Sequence, residues 1–163
     1  MSDRPDGVQP GRFGADFAEG TVVFLIGMRI NAYWRVRTWL PVFMAMPRMA
    51  RELHEHPELG LLHARNEFSA RRATVVQYWE SMDKLMAYAA SRDHEHLPAW
   101  RAFNRRAHSA RGVVGIWHEA YTVNPATSHL IYSAMPVFGM ARATTLTPLN
   151  QPPPQSGPSH LEA

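Results

Sequence analysis

Residues 21–31, TVVFLIGMRIN, make an apolar run broken only near its end by Arg29 and Asn31. Val, Ile and Phe dominate it, with no alternation of polar and apolar side chains. Such a run predicts a strand covered on both faces, the middle of a sheet and not its edge. It is too short to span a bilayer, and the polar residues before it carry no signal-peptide pattern. The expectation is a cytoplasmic domain with no membrane partner. At 163 residues the chain is long enough to bury one core without a disulfide or metal staple. It has no cysteine, which excludes thiol catalysis, thiolate metal sites and iron–sulfur clusters. The net charge of +3 comes almost wholly from arginines, with Lys84 the lone lysine, and they form no basic stripe with interleaved aromatics. Nucleic acid is therefore not an expected partner.

The two ends differ in composition from the middle. Residues 1–18 carry Pro, Gly and Asp without periodicity and read as a flexible arm. Residues 143–163 include Pro148, Pro152, Pro153, Pro154 and Pro158, and read as a disordered tail. The folded domain is expected over 19–142. After the first strand, residues 34–56 place Leu40, Phe43, Met44, Met46, Met49 and Leu53 at helical spacing, with Pro47 expected to divide the helix in two. Residues 61–68 and 73–79 read as a hairpin. Ser81 can cap a helix over 82–90 with Leu85, Met86 and Ala89 on one face. A second helical piece starts near Pro98 and stops before Gly112, and residues 113–123 (VVGIWHEAYTV) complete the pattern as a strand.

The order is β-α-β-β-α-β, an α+β ferredoxin-like unit with a four-stranded antiparallel sheet. Two helices on one face leave the other face of the sheet without cover, which calls for a partner sheet, a lipid-like ligand or a second copy.

Few residues in this frame can carry chemistry. The pairs His54/His56 and His94/His96 lack the i, i+4 spacing of a helical metal site, so no metal site is expected. His96 opens HLPAWRAFNRR, where its ring either makes a helix-entry hydrogen bond or reaches the mouth of a cavity. Alternation along the last strand puts Val114, Ile116, His118 and Ala120 on one face and Gly115, Trp117, Glu119 and Tyr121 on the other. One of His118 and Glu119 must then point at a covered face, where it needs a partner, such as Arg29, or a task. Arg29 and Asn31 either hold an anionic oxygen or cap the sheet with a salt bridge. Gln77 and Trp79 alternate with Tyr78, and a Met- and Trp-rich interior that includes Met44 and Trp117 suits a bulky apolar ligand. No phosphate loop, GxGxxG turn or GxSxG elbow is present.

The strings FLIGMRIN (24–31), WLPVFMAMPRM (39–49), VQYW (76–79), HLPAWRAFNRR (96–106) and VGIWHEAY (114–121) resemble a family of the dimeric α+β barrel group. Its best-known relative is the small monooxygenase-like protein of fungal fumagillin biosynthesis. The resemblance implies that two ferredoxin-like subunits pack sheet against sheet as a homodimer. Relatives in the group include antibiotic-biosynthesis monooxygenases that need neither metal nor flavin, and haem-holding aldoxime dehydratases and dye-decolourising peroxidases.

The function expected from this is a cofactor-independent monooxygenase acting on a hydrophobic aromatic, polyketide or terpenoid molecule. The alternatives are a haem protein, with His96 or His118 as axial ligand and Arg29 or Gln77 opposite, and a non-enzymatic small-molecule binder. Cofactor-free oxygenation needs a general base, a group to hold the oxyanion and an apolar pocket. His118 or His96 is the candidate base, with Glu119 to orient it and Arg29 and Asn31 on the oxyanion. Gln77, Trp79, Trp117 and Met44 are the candidate substrate contacts. The strand order last-first-third-second is expected to bring Arg29 near His118 or Glu119.

Overall fold

A computed structural model describes residues 7–90 and 105–149, with the backbone alone for 46–50 and Glu52. The described chain divides into two compact units, one built on residues 17–128 and the other on the segments either side of it.

The larger unit contains strands β2 (Val22–Ile30), β3 (Leu61–Ser69), β4 (Arg72–Trp79) and β5 (Val114–Thr122) in one antiparallel sheet of order β3-β4-β2-β5. This is the expected ferredoxin-like order, with the apolar run of β2 in the middle. Helix α1 (Val36–His54) joins β2 to β3, and α2 (Met82–Ala90) follows β4. Residues 105–109, just before β5, are also helical.

Both α1 and α2 pack on one face of the sheet. Met28, Ile30, Ala73, Val75 and Val114 of the sheet meet Val42 and Ala45 of α1 in one buried cluster. Val22 and Trp79 meet Leu53 of α1 and Leu85 and Tyr88 of α2 in a second. Val22, Met28 and Ile30 share the even-numbered face of β2, as strand alternation requires. The odd-numbered residues Val23, Leu25 and Arg29 belong to neither cluster. On that other face the Trp117 ring lies across Gly27, where a Cβ would come within 2.6 Å of the indole. A glycine is needed there for space.

Helix α1 does not break at Pro47 as expected; it continues to His54. A mid-helix proline costs about 3 kcal/mol through a lost hydrogen bond and a ring clash. Buried Val42 and Ala45 before it and Leu53 after it anchor the helix on both sides, and that burial offsets the cost. No helix among the described residues is long and apolar enough to cross a membrane.

The smaller unit is a three-stranded antiparallel sheet of order β6-β1-β7, made by β1 (Arg12–Asp16), β6 (Tyr132–Ser133) and β7 (Thr145–Pro148). The segments expected to be a flexible arm and a disordered tail thus each hold a strand, and they pair with each other. Phe13 is the reason: it is 2% exposed and stacks on Tyr132 with ring centroids 5.1 Å apart. Met140 and Ala141, in a short helix beside these strands, are buried as well. The rest of the expected arm and tail, residues 1–6 and 150–163, lies outside the described residues.

Candidate active site

The alternation read from β5 is present in the pairing. His118 stands opposite Ile26 of β2, and Ala120 opposite Phe24, so both share the helix-covered face. The His118 ring tilts against Phe24 with centroids 5.8 Å apart. Across β2, Phe24 also pairs with Gln77 of β4. Helix α2 roofs this part of the sheet. Ser81 caps it by accepting the Lys84 backbone N–H at 3.2 Å, as its position predicts.

Between α2 and the sheet lies a cavity of about 350 Å³. Its floor is Phe24, Ile26, Gln77, Ile116, His118 and Ala120, and its α2 wall is Leu85, Met86, Tyr88 and Ala89. The volume is at the lower end of the range for small-molecule sites. Among the described lining residues no carboxylate, Lys or Arg occurs, so the polar groups are the His118 imidazole, the Gln77 carboxamide and the Tyr88 hydroxyl. Gln77 is 1% exposed, and its Oε1 accepts the Trp79 indole N–H at 2.9 Å. The described residues contain no group of three or more His, Asp or Glu placed to hold a metal ion.

Of the residues singled out in the sequence, His118 and Gln77 line the cavity together, with Trp79 one hydrogen bond away. Glu119 lies on the opposite face, where it accepts the Tyr121 hydroxyl at 2.8 Å. That bond, and the repulsion between carboxylate and phenolate, raise the Tyr121 pKa above the usual phenol value. Trp117 is on that same face, over Gly27.

The expected approach of Arg29 to His118 or Glu119 does not occur. Arg29 pairs with Gly115, on the face away from His118, and four residues from Glu119, or about 13 Å along a strand. Its guanidinium donates instead to Asn31 Oδ1 at 2.9 Å, which makes a local pair at the strand end. Met44 is on the exposed side of α1, outside the cavity lining. His96 lies outside the described residues. Tyr88 was not singled out, although it stands three residues from Leu85, one helical turn along the same face.

The sequence pattern of the family described as monooxygenase af470-like matches residues 21–140. The chain belongs to that family. The span matched to the af470-like monooxygenases holds the whole cavity lining, from Phe24 to Ala120. Among solved structures, this af470-like chain is similar to an aldoxime dehydratase (OxdRE) crystallised with butyraldoxime, at 18% identity and a TM-score of 0.62. The match covers 87% of this chain and 42% of that enzyme, and shows a shared fold. SnoaB, a cofactor-independent oxygenase from Streptomyces nogalater, is 12% identical over 68% of this chain and 99% of its own, with a TM-score of 0.45. A dimeric ferredoxin-like protein from an uncultured marine organism is 10% identical over 71% of this chain and 95% of its own, with a TM-score of 0.44. No curated protein matches the af470-like chain in sequence.

Proposed function

We propose that the chain is a cofactor-independent monooxygenase for a hydrophobic ring compound, with His118 as general base and Gln77 as the hydrogen-bond donor to the substrate oxygen. The observation that carries this reading is that one imidazole and one carboxamide line the same largely apolar cavity, with the Tyr88 hydroxyl as the third polar group among the described lining residues. His118 and the flanking Ile116 and Ala120 are exposed in the free protein. The bound ring compound itself must therefore displace water from the apolar lining, which favours reaction of its anion with dioxygen over reprotonation by solvent. His118 takes a proton from an acidic ring carbon, and the electron pair left behind delocalises onto the ring oxygen. Dioxygen adds at that carbon to give a hydroperoxide. Loss of the second C–H proton breaks the O–O bond and releases water. The sum is CH₂ + O₂ → C=O + H₂O, with the substrate supplying all four electrons. This replaces the Arg29 and Asn31 oxyanion site with Gln77, because of these three residues Gln77 alone is among the described residues that line the cavity with the base.

The reading includes a homodimer formed through the sheet face on which neither α1 nor α2 packs, where Tyr121 is 53% exposed. Light scattering at the mass of two chains supports it, and a monomer counts against it.

A haem reading fits the described residues poorly. His118 offers an axial imidazole, but no described lining residue is an Arg or Lys that could meet the two propionates. A Soret band in the purified protein overturns the cofactor-free reading.

The test of activity is dioxygen uptake without added cofactor, across a panel of naphthols and ring ketones that includes 1-naphthol. Uptake equal to quinone formed is expected, with at least about a 100-fold loss in His118→Ala, the usual scale for removing a general base. Binding of panel members with no uptake by any of them makes the protein a small-molecule binder instead. Full uptake in His118→Ala removes the base from the mechanism.

A further inference from the structure

Gln77 and Trp79 stand two residues apart on β4, so both side chains rise from the helix-covered face. Trp79 is 0% exposed and Gln77 1%. An indole N–H can only donate, so the atom it meets at 2.9 Å must be the amide oxygen. Turning the carboxamide over would set its NH₂ against the indole N–H, two donors face to face in a buried site, which is strongly disfavoured. The amide therefore has one orientation. Its oxygen is held by Trp79, and among the described residues no acceptor meets its NH₂ group, although Gln77 lines the cavity.

We infer that Trp79 is a positioning residue that fixes Gln77 as a donor toward the cavity, so that the site selects ligands with an acceptor oxygen: cyclic ketones and conjugated enolates. The inference rests on the proposed function only in calling that ligand a substrate; the selectivity itself is a binding property. Spacing adds a size condition. His118 and Gln77 lie two strands apart and two residues out of register, with Phe24 and Ile26 between them, which is roughly 12 Å between Cα atoms. That backbone spacing leaves room for a ligand that touches both while carrying its acidic position and its oxygen on opposite sides of a ring. In such a molecule the proton goes to His118, and the electron pair moves through the conjugated ring to the oxygen on Gln77.

The probes are 1-tetralone and tetralin, which share a carbon skeleton and differ in one carbonyl, titrated by tryptophan fluorescence or calorimetry. The unmodified protein should bind the ketone about tenfold more tightly, the effect of one buried hydrogen bond. Gln77→Met should bring the ratio near one. Gln77→Glu should reverse the polarity, since one carboxylate oxygen still accepts from Trp79 and the other presents an acceptor. That variant should prefer 5,6,7,8-tetrahydro-2-naphthol, a donor, over the ketone. Trp79→Phe should lower the ketone preference with Gln77 intact, a result that a purely structural role for Trp79 does not give. Equal affinity of the unmodified protein for the two probes overturns the inference, and so does a ketone preference that survives Gln77→Met. The unmodified-protein ratio decides the matter even if a variant fails to fold. Ketone selectivity without oxygen uptake would sink the proposed activity and leave this inference standing. Uptake without selectivity would sink this inference, and with it the role of Gln77, and leave the oxygenase activity and its His118 base standing.

Discussion

His118 and Glu119 are adjacent in sequence and lie on opposite faces of the four-stranded sheet, in opposite surroundings. On the helix-covered face His118 shares an apolar cavity with Gln77, whose oxygen is already engaged by Trp79. On the other face Glu119 and Arg29 satisfy themselves locally, with Tyr121 and Asn31. Among the described residues, the first face leaves hydrogen-bonding capacity unused beside an open volume, and the second uses its capacity within two residues along the chain. Unspent polar capacity facing a cavity separates a site from ordinary surface chemistry, and the residue types alone do not reveal it.

The sharpest way to break this contrast is to alter both neighbours. His118→Ala should cut oxygen uptake at least about 100-fold. Glu119→Ala should leave it within about a factor of two, the usual scale of exposed substitutions. Comparable losses would show that the two faces work together. Next in size is Gly27→Ala, which drives a methyl into the Trp117 indole. It should cost about 1–3 kcal/mol in urea unfolding through overpacking, with oxygen uptake per folded molecule unchanged. A loss of uptake with stability intact would tie Trp117 to the cavity. Arg29→Ala should change stability by less than about 0.5 kcal/mol, because an exposed local pair is worth little.

The smallest effect is spectroscopic. Tyr121 titrates above the usual phenol range because it donates to Glu119 and faces its charge. Both causes favour the neutral phenol, so Glu119→Gln should lower the Tyr121 midpoint, followed by phenolate absorbance. The stabilisation from this pair is present at neutral pH and is lost as pH rises through the raised pKa. An unmoved midpoint would mean that the two side chains part in solution.

Much of the larger unit was legible because its signals are local and periodic. The unbroken apolar run marked β2 as central, the Ser81 cap marked the start of α2, and alternation separated His118 from Glu119. The family followed from short strings spread over the same span. Register was not legible: which residue of β2 faces His118 depends on pairing between segments some 90 residues apart. Without it, Arg29 could be placed near the histidine when it lies on the other face. The smaller sheet was hidden for a related reason. β1 and β7 are five and four residues long, carry Gly14 and Pro148, and gain their order from each other across most of the chain. Pro47 misled because local propensity penalises it, whereas burial on either side decides the helix. The Gln77–Trp79 bond follows from an i, i+2 spacing visible in VQYW, but its direction needed coordinates.

His118 and Gln77 stand on strands of different standing. Gln77 belongs to β4, paired on both sides and buried along most of its length, whereas His118 belongs to β5, which is paired with β2 alone. Ile116 and Ala120, the cavity residues flanking His118, are exposed and contribute to neither core cluster. Selection can therefore exchange them at little cost to stability. On the proposed reading, the anchor for the substrate's oxygen is tied to the fold, while the contour around its reacting carbon tolerates substitution. On that reading, substitutions on one border strand change the substrate range at little cost to the fold, which a laboratory library restricted to residues 116 and 120 would test.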